Sequence, residues 1–271
     1  MIAGPALLFC PADRPERFSK AAAAADSVIL DLEDAVAPAA KADARRALAA
    51  SSLDPARTIV RVNAPSAGLL GADLEAVRSA GYRRIMVAKA ERAADLAPLD
   101  GFDLIPICET PLGVREAASI AAVANVVALT WGADDLVAAI GGSSSRFPDG
   151  RWRDVARFAR SGVLIAAASE GKPAFDTVHL DIADEAGLRA EADDAAASGF
   201  AGSMCIHPSQ VETIRSAFRP TADQVAWAVG VLAAADTAGL GVFAYEGRMV
   251  DEPILRQARS VLAAADGRTV E

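Results

Sequence analysis

The sequence predicts a (β/α)8 TIM barrel, an α/β fold, followed by a C-terminal helical extension. Three observations carry this expectation. Eight short apolar runs, rich in Val and Ile, alternate with Ala-rich stretches of helical period. The chain has 271 residues, a size at which an α/β barrel is routinely one domain. Charged residues gather just after the apolar runs, at the strand ends where a barrel builds its active site. A doubly wound open sheet is the competing architecture.

The first strand is read at LLFCP (7–11), with a helix over 15–25. SVILDL (27–32) precedes a helix over 38–50, and TIVRVN (58–63) precedes one over 72–80. RRIMVAK, ending at Lys89, is the fourth run; DLIPICE (103–109) is the fifth and leads into a helix over 113–122. After NVVALTWG (125–132) comes a polar loop, GGSSSRFPDGRW (141–152), long for a barrel and therefore of functional interest. A helix over 152–170, the strand FDTVHL (175–180), a helix over 184–198 and the strand SMCIHP (203–208) complete the barrel. From Pro220 the chain carries more than one closing helix requires: a helix over 222–237, the loop GLGVFAYEGRMVDEP and a last helix over 254–265. We therefore expect a barrel domain over 1–219 and a helical extension and lid over 220–271.

The composition narrows the function classes. A net charge of −9 argues against a nucleic-acid or membrane-surface partner, either of which needs a basic face. Cys10, Cys108 and Cys205 are scattered within apolar runs. They read as core residues of a reducing cytoplasm, not as a disulfide framework or a zinc site. The opening MIAGPALLFCPADRPERF lacks the pattern of a secretory signal. No apolar run reaches the roughly 20 residues of a membrane span, so a cytoplasmic protein is expected.

The strand ends carry, in order, Glu33 and Asp34, Arg61 and Asn63, Lys89, Glu109, Asp134 and Asp135, and His207. A lone acid at a strand end is usually a helix cap; convergence of five such ends points to a site. Glu109 and Asp135 end neighbouring strands, and two carboxylates there can share a Mg2+ ion that keeps waters and accepts substrate oxygens. The competing role is to cap the next helix, for which Thr110 and Asp134 are equally placed. Arg61 lies among Ile59, Val60 and Val62, where a guanidinium must be paired or working. It can stabilise a developing enolate, or form an ion pair with Glu33 or Asp34. Lys89 can serve as a Schiff-base residue, a phosphate contact or an ion-pair partner of Glu91, and the ion pair is the expectation. His207 reads as a capping residue and His179 as structural. Two histidines are too few for a His-rich zinc enzyme, and no nucleophile elbow, Walker loop or G-x-G-x-x-G is present. Arg14, Arg17 and Lys20 form a basic cluster after the first strand that can hold phosphates.

The strings LFCPADRPERFSKA, VILDLEDAV, RVNAP, ICETPLGV, WGADDL, SMCIHPSQ and MVDEP, in this order, span nearly the whole chain. Together they resemble the citrate lyase β-subunit-like proteins of the HpcH/HpaI aldolase superfamily, in the stand-alone branch. The resemblance implies a TIM barrel, a homotrimer, and Mg2+-dependent chemistry on CoA thioesters. It implies metal carboxylates at Glu109 and Asp135, an enolate-binding Arg61, paired acids Glu33 and Asp34, and CoA contacts from Arg14, Arg17 and Lys20. It also implies that Asp251 of MVDEP is the acid that moves a proton on the substrate, delivered by the lid of a neighbouring subunit. Ala88 before Lys89, Cys108 before Glu109 and Asp134 in place of Glu depart from the common pattern without removing any of these groups. Glu33 and Asp34 are then expected to hold Arg61 and a metal-bound water in place, with Asp31 extending that network or satisfying backbone.

The expected function is a carbon–carbon lyase that cleaves, or by Claisen-type condensation forms, 3-hydroxyacyl-CoA thioesters such as citramalyl-CoA or malyl-CoA, with thioester hydrolysis as a further outcome. The partners are then an acyl-CoA and a 2-oxo acid. Two other readings compete: a metal-dependent aldolase for free 2-oxo acids, and a non-catalytic, complex-dependent citrate lyase β-like subunit. Protection by CoA against heat unfolding separates the first; turnover of a CoA thioester by the purified chain alone removes the second.

Overall fold

Eight strands pair in parallel in sequence order: β1 Ala6–Pro11, β2 Ser27–Asp31, β3 Thr58–Val62, β4 Arg84–Val87, β5 Asp103–Cys108, β6 Leu129–Trp131, β7 Ala174–Asp176 and β8 Gly202–Cys205. β8 then pairs with β1, Ala6 opposite Ser203, and the barrel is closed. In this computed structural model the described residues are 2–239 and 241–266. Between the strands run α1 Phe18–Ala24, α2 Lys41–Ala49, α3 Leu70–Ser79, α4 Ala93–Leu96, α5 Pro111–Arg115, α6 Ala117–Ala121, α7 Ala133–Ala139, α8 Asp154–Ser169, α9 Glu185–Ser198 and α10 Gln210–Phe218.

Side chains of period two fill the barrel. Leu7, Ile29, Ile59, Met86, Ile105, Ile107, Phe175 and Met204, with Ala128 just before β6, form one buried cluster. The same period puts the next inward positions at the carboxyl ends of the strands: Asp31 follows Ile29, Arg61 follows Ile59, and Glu109 follows Ile107. The polar mouth is thus the top layer of the apolar interior. At the other end Gly202 lies against Pro5, where a Cβ would collide with the Pro5 carbonyl.

Several elements differ from the expectation. β6 is short because Val126 makes only an isolated bridge to Leu104, and pairing resumes at Leu129. β7 stops at Asp176, whose carboxylate is taken by Trp131 Nε1 and by Arg160 of α8. The helix expected over 113–122 is two helices meeting at Glu116. α4, α7 and α10 were not foreseen.

The chain divides after Arg215 into two compact units, a few residues before the expected boundary and within α10. The small unit holds α11 Ala222–Ala238, β9 Phe243–Tyr245, β10 Arg248–Val250 and α12 Glu252–Ala265. Its core is Ala228, Val231, Val250 and Ala258. Thr221 and Gln224 cap α11 reciprocally, each side chain bonding the other's backbone N–H. The expected loop over 239–253 contains an antiparallel hairpin instead. Its turn residues Glu246 and Gly247 both have positive φ, 48° and 74°, as a two-residue hairpin turn of matching twist requires. Leu240 in that loop and residues 267–271 of the expected lid lie outside the described residues.

Candidate active site

Asp31 organises the mouth. It is fully buried at the end of β2, opposite Arg61 in the β2–β3 register. Arg61 Nε donates to Asp31 Oδ1 at 2.7 Å and Nη2 to Oδ2 at 2.6 Å, a two-bond fork. The same oxygens accept the Glu33 N–H at 2.8 Å and the Ala35 N–H at 3.1 Å. One carboxylate therefore fixes both the guanidinium and the turn that presents Glu33 and Asp34. Burial lowers the affinity of Arg61 for its proton, but the bond to Asp31 outweighs it and the guanidinium stays charged.

The expected partners of Arg61 are in part corrected. Glu33 Oε2 does approach Arg61 Nη1, at 3.4 Å. Asp34 forms no ion pair with Arg61; it accepts a bond from Lys89 Nζ at 3.0 Å. Lys89 in turn is not paired with Glu91. Its ammonium bonds Glu33 and Asp34 and lies 3.5 Å from Asp135 Oδ1. The reason is local: Met86 points inward, so the strand period would turn Lys89 outward, but Lys89 has φ 50° and the chain bends back. Burial raises the Glu33 carboxyl above its ordinary value against the pull of Arg61 and Lys89. For Asp34 burial also pushes upward, but Lys89 prevails and holds the carboxyl below its ordinary value.

Glu109 ends the site on the other side. The bend at Lys89 aims its backbone N–H at Glu109 Oε1, 2.8 Å away. Glu109 Oε2 lies against Gly132, where a Cβ would stand only 2.6 Å from it. Glu109 is buried, and burial together with the charge of Asp135 raises its carboxyl to about 8. Asp135 does not end a strand: β6 stops at Trp131, and Asp135 is in the first turn of α7. The capping alternative is resolved by the neighbours. Thr110 caps α5 through the Gly113 N–H, and Asp134 accepts the Ser145 hydroxyl at 2.8 Å, so neither Glu109 nor Asp135 serves as a cap.

These residues fit a hard cation of low protein-ligand demand. Among the described residues no group of three His, Cys, Asp or Glu gathers as a complete metal cage. Two carboxylates, one of them fixed by a backbone donor and a glycine contact, match Mg2+, which takes one or two carboxylates and completes its shell with water and substrate oxygens. A cavity of about 440 Å3 opens on the β2–β3 side of Lys89, with Glu33, Asp34, Lys41, Asn63, Ser66 and Lys89 in its lining; Glu109 and Asp135 do not line it.

Supports absent from the sequence reasoning surround this mouth. Lys41 donates to the Leu32 and Glu33 carbonyls, and buried Asp73 accepts from the backbone and side chain of Asn63 and from Arg45. Asp73 falls on the buried face of α3, a place where an acid in a sequence signals a pairing requirement. Arg14, Arg17 and Lys20 are exposed on the turn and helix after β1, Arg14 and Arg17 each near a neighbouring acid at 3.9 and 3.8 Å. His207 bonds Ser209, and the adjacent cap is made by Gln210, whose Oε1 accepts the Ile206 and His207 N–H groups. His179 is buried against Glu191. Burial raises the thiols of Cys10, Cys108 and Cys205 to about 11, 12 and 12, which leaves them protonated and inert. Asp251 belongs to the small unit, where it caps α12 by accepting the Ile254 N–H at 3.4 Å.

Comparison with known proteins bears on what this arrangement does. The model of the family described as HpcH/HpaI aldolase/citrate lyase matches residues 6–208. The citrate lyase subunit beta-like protein of Mycobacterium tuberculosis is 53% identical over 269 residues, covering 99% of this chain and 98% of that protein. The crystal structure of the protein CitE from M. tuberculosis with magnesium, acetoacetate and coenzyme A aligns with a TM-score of 0.94 at 53% identity, over 97% of this chain and 98% of that one. The (3S)-malyl-CoA thioesterase of Cereibacter sphaeroides is 35% identical, over 96% of this chain and 94% of that protein. The mitochondrial citramalyl-CoA lyase of Rattus norvegicus is 30% identical, over 96% of this chain and 85% of that protein.

Proposed function

The chain belongs to the HpcH/HpaI aldolase/citrate lyase family, and on that premise we propose that it is a Mg2+-dependent carbon–carbon lyase of 3-hydroxyacyl-CoA thioesters. Citramalyl-CoA and malyl-CoA are the substrates in view, cleaved to a 2-oxo acid and an acyl-CoA or formed from them by condensation. The observation that carries the reading is the meeting of Glu109, Asp135 and Arg61 around one barrel mouth, with Lys89 and Glu33 between them.

Glu109 and Asp135 would hold the metal, and Mg2+ when bound supplies Lewis-acid polarisation of the carbonyl of the 2-oxo acid half. Arg61 stabilises the thioester enolate released by bond cleavage. Its Nε and Nη2 are committed to Asp31, and Nη1, whose contact with Glu33 is looser at 3.4 Å, is the donor that a substrate oxygen would share with Glu33. Glu33 and Asp34 orient Arg61 and Lys89 and keep the developing charge from displacing them. Asp251 protonates the enolate carbon, contributed by the next subunit of a homotrimer. Arg14, Arg17 and Lys20 contact the phosphates of CoA. An exposed apolar row on α8, Val155, Phe158 and Ile165, supports a subunit contact, since these residues recur on one helix face. No helix among the described residues is long and apolar enough to cross a membrane, and a cytoplasmic place of action is part of the proposal.

The likeness to a malyl-CoA thioesterase favours a second outcome, hydrolysis of the thioester after or instead of carbon–carbon cleavage. A panel of acyl-CoA substrates incubated with the purified chain and Mg2+, read by mass spectrometry, tests both. A 2-oxo acid with a shortened acyl-CoA supports the lyase; free CoA with an intact hydroxy acid supports hydrolysis alone; no turnover of any member overturns the proposal.

A further inference from the structure

Five acids line the mouth, Asp31, Glu33, Asp34, Glu109 and Asp135, and two cations face them. Arg61 is committed to Asp31 by its fork. Lys89 reaches the other four. Its ammonium bonds Glu33 and Asp34 and lies 3.5 Å from Asp135, while its backbone N–H bonds Glu109 at 2.8 Å. Both carboxylates assigned to the metal are therefore in contact with a single residue, one through its side chain and one through its main chain.

The backbone at Lys89 is part of this arrangement. A φ of 50° is unusual for a residue with a side chain, and among the described non-glycine residues only Glu246 shares it. Here it delivers the N–H to Glu109 and the side chain to the acids of β2 in one bend. Glycine at this position would keep the bend and lose the ammonium. The four-carbon stem of lysine also lets the charge swing, which the planar fork of Arg61 does not.

We infer that Lys89 is a positioning residue whose ammonium is the resident counter-ion of the mouth: it holds Glu33 beside Arg61 and competes with Mg2+ for Asp135. The inference rests on the metal reading of Glu109 and Asp135. Like charges repel, so an ammonium beside Asp135 opposes the arrival of the cation; its hold on Glu33, on the side of Arg61, remains. Lys89 thus lowers metal affinity while improving the geometry that the metal and Arg61 share.

Lys89→Met tests this, because it keeps an unbranched side chain and the backbone N–H and removes the ammonium, with its charge and its bonds to Glu33 and Asp34. Mg2+ is titrated calorimetrically into metal-free protein at alkaline pH, without substrate. Removing one positive charge from beside the site should tighten Mg2+ about tenfold. Turnover at saturating Mg2+ should nevertheless fall at least about tenfold in kcat, with KM for the CoA thioester little changed, because Arg61 loses its orientation through Glu33. Lys89→Gln should shift Mg2+ affinity in the same direction, and a wild-type circular dichroism spectrum in either variant secures the reading. Unchanged or weaker Mg2+ binding in both variants overturns the inference. Two controls separate its failure from that of the proposed function. If wild-type protein binds Mg2+ and Glu109→Ala does not, but the Lys89 variants bind like wild type, only this inference falls. If Mg2+ binding ignores Glu109 and Asp135, the metal reading falls and takes this one with it.

Discussion

Asp31 and Arg61 are paired twice. They are register partners across β2 and β3, and their side chains meet in a fork of 2.7 and 2.6 Å. Four bonds converge on that carboxylate, two from the guanidinium and two from the turn at Glu33 and Ala35. Removing one partner of such a buried pair leaves the other uncompensated, at a cost of about 3–5 kcal/mol. Asp31→Ala should therefore lower stability to urea by about that amount. Arg61→Lys keeps the charge but loses the fork and the Nη1 donor beside Glu33, and kcat should fall by roughly 100-fold, the scale of one lost oxyanion donor. A near-normal kcat in Arg61→Lys would reduce Arg61 to a structural ion pair.

Glu109 makes metal binding and stability depend on pH in opposite ways. Burial and Asp135 raise its carboxyl from an ordinary value of 4.5 to about 8. Between these values the folded protein keeps a proton that the unfolded chain releases, so the unfolded state binds fewer protons. The stabilisation is complete below about 4.5 and is lost as pH rises toward about 8. Scanning calorimetry of chelated protein should show Tm falling across this window, and Glu109→Gln should remove that part of the fall. Mg2+ requires the carboxylate, so its binding should release a proton and tighten as pH approaches about 8. A pH-independent Mg2+ affinity over the same window would contradict this.

Glu109→Ala and Asp135→Ala should each abolish measurable Mg2+ binding by calorimetry and bond cleavage by mass spectrometry, with the fold retained. Gly132→Ala is the subtler probe. Its Cβ would stand 2.6 Å from Glu109 Oε2 and must push the carboxylate aside, because Oε1 is held by the Lys89 N–H. We expect Mg2+ affinity to fall by about tenfold or more, since a ligand displaced by a fraction of an ångström no longer closes the shell Mg2+ demands. Full activity of either Ala variant in chelator would remove the metal from the reaction.

Asp251 caps α12, and Asn caps about as well as Asp. Asp251→Asn should thus leave Tm nearly unchanged while ending proton transfer to or from the thioester α-carbon, read by solvent deuterium exchange. Arg61→Ala should be inactive for a different reason, within its own barrel. If each site joins one chain's Arg61 to its neighbour's Asp251, unfolding and refolding the two variants together should restore about a quarter of wild-type activity. No recovery in verified hybrid trimers would place Asp251 in its own subunit's site or outside the chemistry.

The barrel was legible because near-continuous apolar runs and their spacing report burial on both faces, as in the SVILD of β2 and the TIVRV of β3. The mouth was legible as a set of strand-end charges, but its pairings were not. Asp31 was visible as the next inward position after Ile29, yet the adjacent Glu33 and Asp34 drew the assignment of Arg61 away from it. Lys89 was misassigned to Glu91 because a left-handed backbone at a lysine has no sequence signal; Gly or Asn usually marks that conformation. The hairpin of the small unit was hidden for a similar reason, since Glu246 with Gly247 replaces the usual Asn-Gly. α7 went unseen because its seven residues carry two acids that read as a strand end.

The seam between β1 and β8 sets a schedule for the chain as it is made. Ala6 and Leu7 leave the ribosome ahead of the other seven strands, and their partners Ser203 and Met204 come with the last of the eight. Until Gly202–Cys205 has emerged, β1 presents a bare apolar edge that another nascent chain can pair with. Gly202, which cannot bear a side chain against Pro5, guards the moment of closure. A lesion there should appear as aggregated, low-yield protein, while the molecules that do close keep a mouth as active as any other.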